Sequence, residues 1–185
     1  LKMDVPSPFT RHARLAPDQY YLKYLFRRKL GEMDVNLEVA DRVLQNLPER
    51  FTFAQLEEHV ESLREELETV DEAALSSMLW LARANYQLVM PPGSEASDIV
   101  IFPQNDNESR GVEDLRLVRF TNDHGTHTYY GTYTAYNGAR GLPMLLETPD
   151  FQTLHLSTLN GTAALNKGMA LFPRPVRGHY CMCGR

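Results

Sequence analysis

Residues 115–134 read L-R-L-V-R-F-T-N-D-H-G-T-H-T-Y-Y-G-T-Y-T. Two runs rich in leucine, β-branched and aromatic side chains flank Asn122-Asp123-His124-Gly125. Within each run the chemistry changes with a period of two, as in a strand, whose successive side chains leave on opposite faces. Asn, Asp and Gly between two such runs supply the backbone angles of a hairpin turn. The stretch predicts an antiparallel hairpin, and the rest of the chain is read outward from it.

Toward the C terminus the same grammar repeats. Asn137-Gly138 begins the next connection, and Pro143–Glu147, Gln152–Ser157, Met169–Phe172 and His179–Met182 read as strands, with Asp98–Phe102 as another ahead of the hairpin. Short strands at this spacing suit a sandwich or a propeller. Residues 115–157 hold the four strands of one propeller blade and a new set begins at 169, which favours a propeller.

Toward the N terminus the period is helical. Pro91-Pro92-Gly93-Ser94 marks the change. Ahead of it, helices are expected over Pro17–Leu30 (basic at its end and stopped by Gly31), over Asn36–Leu47, from Thr52, and from Asp71 up to Met90. Thr52-Phe53-Ala54-Gln55 fits a capping box. Phe53, Leu56, Val60, Leu63, Leu67 and Val70 form one apolar stripe, so the glutamates between them read as a solvated face. Arg27, Arg28 and Lys29 read as a helix terminus matching its own dipole rather than as a polyanion patch. The expected fold class is α+β: residues 1–90 form a helical N-terminal extension, and 91–185 form the first part of a β-propeller.

Composition narrows function. Of 185 residues, 43% are hydrophobic and 23% charged, with a net charge of −5. These are values of a globular protein with no call for nucleic acid or an anionic membrane as partner. No apolar run approaches membrane-spanning length. Two cysteines, Cys181 and Cys183, form no disulfide framework, which points to the cytoplasm. Neither Cys181-x-Cys183 nor His124-Gly-Thr-His127 has the ligand number of a zinc site. The chain starts at Leu1 and ends at Arg185, directly after a strand-like run, and reads as a piece of a longer protein.

The charged stretch Glu108–Leu117, E-S-R-G-V-E-D-L-R-L, enters the hairpin. On a regular strand Asp114 shares a face with Arg116, and Glu113 shares one with Leu115 and Leu117. If those leucines are core, Glu113 is half-buried and needs Arg110, Arg119 or a backbone group as partner, and is then either a structural ion-pair member or part of a site. Tyr129, Gly131 and Tyr133 fall on one face, and Tyr130, Thr132 and Tyr136 on the other; tyrosines suit sugars and are also ordinary strand formers. Lys167, ahead of an apolar strand, could hold an anion or extend to solvent.

Gly111-Val112-Glu113-Asp114-Leu115-Arg116, Tyr133-Thr134-Ala135-Tyr136, Asp150-Phe151, Asn166-Lys167, Leu171-Phe172-Pro173 and Gly178-His179-Tyr180-Cys181-Met182 occur in the order and spacing of glycoside hydrolase family 130. Residues 98–185 thus resemble that family of β-mannoside phosphorylases and related hydrolases. The resemblance implies a five-bladed propeller, incomplete here, and places Asp114 on the catalytic general acid. It sets Lys167 and Arg185 on positions that hold phosphate, Arg116 where it would orient the acid or a sugar hydroxyl, and Tyr133, Tyr136 and Asn166 on the substrate side. Leu115 stands where the family usually has proline, and Gly168 where phosphorylases can carry a polar side chain.

Inverting attack by water needs a carboxylate base opposite the acid, whereas phosphate needs cations to position it and one acid for the leaving oxygen. One acid and two cations favour phosphorolysis of β-mannosides to mannose 1-phosphate, with inorganic phosphate as co-substrate and no other cofactor. A β-mannoside hydrolase with its base past residue 185, or a carbohydrate-binding propeller without turnover, are the alternatives. The partners implied are an oligosaccharide and phosphate, with room for a homo-oligomer of the full-length protein.

Overall fold

The computed structural model describes residues 13–18, 20–67, 69–98, 100–138, 141–164 and 167–184. Among the described residues, four helices pack around one core: α1 (Lys23–Glu32), α2 (Leu37–Leu44), α3 (Phe53–Glu66) and α4 (Glu72–Arg83). Local chemistry sets their starts. The Asn36 side chain accepts from the Glu38 N–H, and the Asp71 side chain accepts from the Ala74 N–H. The Thr52–Gln55 capping box is formed, with both reciprocal bonds present. Leu30, Phe51, Leu56, Leu75 and Met78 are fully buried between the helices, where Tyr21, Phe26 and Phe51 pack ring against ring.

Helix α1 starts later than its sequence suggests. Pro17 ends the strand β1 (Arg14–Pro17), and Tyr21-Leu22 forms a two-residue strand, β2, paired with β3 (Arg50–Phe51). That pairing holds residues 21–22 extended, so the helix opens only at Lys23. The fourth helix also stops early. Asn85 ends it, donating to the Leu81 carbonyl at 2.7 Å while its side-chain oxygen accepts from the Thr158 N–H at 2.9 Å. Tyr86 to Val89 then form the strand β4, so Tyr86 faces a sheet core, not a helical one.

The sheet consists of β1, β4, β5 (Val112–Thr121), β6 (His127–Tyr136), β7 (Gly141–Thr148) and β8 (Thr153–Thr158), in the order β1-β4-β8-β7-β6-β5 and antiparallel throughout. The expected hairpin is β5–β6, and β5 to β8 form the expected four-strand meander. The meander does not end at β8, because β4 and then β1 pair onto it; two strands within 1–90 therefore belong to the sheet. Among the described residues of 98–102 none is in a strand: a short 3₁₀ turn, Ala96–Asp98, comes first, and 100–102 are irregular. The following pair, β9 (Ala170–Leu171) and β10 (Met182–Cys183), is a separate two-stranded unit lying against β5 and β6. Thr132 donates to the Met169 carbonyl, Thr121 N–H donates to the Pro173 carbonyl, and Phe120 stacks on Tyr180 at 4.8 Å. Among the described residues, no helix is long and apolar enough to cross a membrane.

Candidate functional site

Strand β5 is interrupted where its sequence is most charged. Glu113 pairs with Thr134 and Arg116 with Thr132, so three steps on β5 oppose two on β6. The extra residue is a β-bulge, and Asp114 takes its strained angle, φ 60°. An L-residue in this region needs a surrounding structure that imposes it, and such positions gather at functional sites.

The bulge corrects the facing expected from regular alternation. Thr134 and Thr132 lie on one face of β6, so Glu113 and Arg116, which pair with them, share that face. Leu115 and Leu117 lie on the other, folded over Gly131; a Cβ there would meet the Leu115 side chain at 2.7 Å. The two leucines are not core, being 53% and 47% exposed. Nor, among the described residues, does Glu113 pair with an arginine: its Oε1 is 3.0 Å from the Lys167 ammonium, with both side chains about half exposed. Such a surface pair adds little stability.

Two cavities border Asp114 on opposite sides. A cleft of about 440 Å³ runs over the leucine face, lined by Asp114, Leu115, Tyr133, Leu146 and Phe151 among others. Phe151 also has a left-handed backbone, φ 61°, so two strained residues border one cleft. A narrow crevice of about 10 Å³ is lined by Asp114, Thr132, Tyr133, Lys167 and Gly168. The chain thus brings Asp114, Tyr133 and Lys167 together, with Glu113 tethering the lysine. Tyr136 is at the far end of β6 and on the other face from Tyr133; its hydroxyl donates to the Gly138 carbonyl at 2.9 Å. Arg116 is exposed on β5 and lines neither cavity. Asn166 and Arg185 lie outside the described residues.

The acid that sequence reasoning passed over is Glu108. It is fully buried, in a short 3₁₀ turn (Asp106–Glu108) ahead of β5. Its Oε1 accepts from the Tyr86 hydroxyl at 2.9 Å and the Tyr133 hydroxyl at 3.3 Å, and its Oε2 accepts from the Gln104 N–H at 2.8 Å. A carboxylate deep in a protein requires such donors. Burial first, then the charges beside it, pushes Tyr133 well above the ordinary tyrosine range; burial and the Glu108 charge do the same to Tyr86. No periodicity marks Glu108, since it sits on neither strand nor long helix. Its sequence signal is membership of the charged stretch, where it is one acid among three. Among the described residues, no group of three or more His, Cys, Asp or Glu side chains could hold a metal ion.

Compared with known protein families, with curated proteins and with solved structures, the chain matches none.

Proposed function

We propose that the chain carries the acid half of a glycoside-cleaving site and that the reaction is inverting phosphorolysis of β-mannosides. Asp114 is the general acid. A phosphate oxygen attacks the anomeric carbon, the bond from that carbon to the leaving oxygen breaks, and the Asp114 proton goes to the leaving oxygen. The products are α-mannose 1-phosphate and a shortened saccharide. Lys167 steers the anion, Arg185 adds a second cation, Arg116, Tyr136 and Asn166 belong to the sugar side, and Tyr133 forms the wall between cleft and crevice. In this reading the six-stranded sheet contains the first blade of a five-bladed propeller, and the enzyme is cytoplasmic, works as part of a longer chain and needs no cofactor beyond phosphate.

The supporting observation is that Asp114, held in a left-handed conformation at a bulge, and Lys167, 53 residues later in the segment ahead of β9, line one crevice. An acid and a cation converging from separate elements are the minimum that phosphorolysis requires.

A second reading is hydrolysis. The Lys167 ammonium is already engaged by Glu113, so phosphate must compete with a carboxylate for it. The deciding experiment supplies β-linked mannobioses to the full-length protein with and without phosphate and follows mannose 1-phosphate and free mannose. Phosphate-dependent mannose 1-phosphate supports the proposal, and phosphate-independent free mannose replaces it with hydrolysis. No product in either condition rejects both. Asp114→Asn is expected to lower kcat by roughly 10²–10⁴-fold, the usual weight of a positioned acid.

A further inference from the structure

We infer that Glu108 is a positioning residue for Asp114, acting through Tyr133 and the bulge in β5. The inference rests on the reading of Asp114 as the acid.

The connection is physical at each step. Glu108 is buried and bonds the Tyr133 hydroxyl. Tyr133 is the β6 residue between Thr132 and Thr134, so it stands opposite the two bulged residues, Asp114 and Leu115. Tyr133 borders both cavities that Asp114 borders. From the other direction, the turn carrying Glu108 is fastened to the end of β6: Gly111 N–H donates to the Glu108 carbonyl at 2.7 Å, Arg110 N–H to the Tyr136 carbonyl at 2.9 Å, and Tyr136 N–H to the Gly111 carbonyl at 3.0 Å. The carboxylate therefore fixes the entry to β5 and the residue facing its bulge from one buried point.

A buried carboxylate used only as a core anchor would not need to touch that residue. An apolar side chain of the same size would fill the space without the cost of desolvating a charge. Held tyrosine and held turn together impose the left-handed angle on Asp114. Small displacements of an acid from its working geometry cost rate steeply.

The test compares Glu108→Gln, Tyr133→Phe and Tyr86→Phe in the full-length protein with two readouts. The first, the amide ¹H–¹⁵N signals of Asp114 and Leu115, requires no activity. The second is kcat and KM for mannoside phosphorolysis. Glu108→Gln puts an amide N–H toward groups that already donate, and Tyr133→Phe removes the bond across the bulge. Both are expected to shift the two amide signals and to lower kcat roughly 10- to 100-fold with the KM for phosphate little changed. Tyr86→Phe removes a bond to the same carboxylate and the contact between the Tyr86 and Tyr133 hydroxyls, but leaves the Glu108–Tyr133 bond in place. It is expected to lower the melting temperature and leave the amide signals and kcat in place. Unmoved signals in both Glu108→Gln and Tyr133→Phe overturn the inference, as does a Tyr86→Phe variant that moves them as far. If Glu108→Gln does not fold, Tyr133→Phe against Tyr86→Phe decides. A wild type without turnover would reject the enzymatic reading, and the amide signals would still decide whether Glu108 sets the bulge.

Discussion

An L-residue at φ 60° brings its Cβ close to its own carbonyl, and Asp114 bears that cost inside the ten-residue strand β5. Left-handed geometry costs roughly 1–2 kcal/mol for most side chains, less for Asp and Asn, and nothing for glycine. Replacements at this position therefore separate stability from chemistry. Asp114→Asn is expected to unfold in urea at nearly the wild-type midpoint. Asp114→Gly is expected to match or exceed it, and Asp114→Val to lose about 1–2 kcal/mol. All three are expected to lower kcat by roughly 10²–10⁴-fold. A marked loss of stability in Asp114→Gly would mean that the carboxylate itself holds the bulge. The two acids differ in how well the sequence reveals them. Asp114 is legible through its neighbours, because the motif around it and the alternation after it mark a special position. Its backbone angle is not, since a bulge leaves no trace in a run that alternates on both sides. Glu108 is legible only as one charge among several, because its burial is created by Tyr86, 22 residues before it, and Tyr133, 25 residues after it.

Elements with a strong local period, the helices α2 and α3 and the hairpin β5–β6, follow from the sequence because local preference and packing agree. Strand β4 does not. The segment after Asp71 continues an apolar stripe at helical spacing, and what stops the helix is Asn85 reaching across to Thr158 in β8. A contact over 73 residues is invisible to a local pattern. The chain leaving β8 is fastened to the helices by α1. Lys29 is buried and donates to the Leu159 carbonyl at 2.6 Å, while Glu32 lies 3.5 Å from Lys29 and accepts from the Gly161 N–H at 2.8 Å. Burial outweighs the Glu32 attraction and lowers the Lys29 pKa below its ordinary value of 10.5. Glu32→Ala would leave the Gly161 N–H without its acceptor and the buried Lys29 ammonium with the Leu159 carbonyl but no counter-charge, a loss of about 1–3 kcal/mol. Hydrogen exchange is expected to quicken at residues 159–164, on the connection between β8 and Lys167, while α3 keeps its wild-type protection. Equal loosening of α3 would show that the two cores open together, with no separate role for the clamp.

At the scale of the whole molecule, the helical core and the sheet core are joined by strands that come from both sides of the helices in sequence. β1 and β4 precede residue 90, yet they extend the sheet beyond β8. A fragment of residues 91–185 would expose the backbone edge of β8 and the buried Leu154 and Leu156. It is expected to aggregate, whereas residues 1–185 stay in solution; light scattering at equal concentration tells them apart. The buried tyrosines offer a sharper view of the same coupling. Tyr21 sits in the helical core, and Tyr86 and Tyr133 in the sheet core; burial is the leading cause that raises each above the ordinary value of 10.0. A raised folded-state pKa means that the unfolded chain releases the proton first. The stability these groups contribute is therefore complete below pH 10 and is lost as pH rises above it. The melting temperature is expected to fall through that range, and the fall to be shallower in Tyr86→Phe and Tyr133→Phe. Tyrosinate absorbance during alkaline titration adds the test of coupling. If β1 and β4 bind the two cores into one cooperative unit, Tyr21 ionises in the same steep step as Tyr86 and Tyr133, at the pH where the fold is lost. If Tyr21→Phe instead removes amplitude from a separate, earlier step, the helices unfold on their own and the shared strands do not couple them.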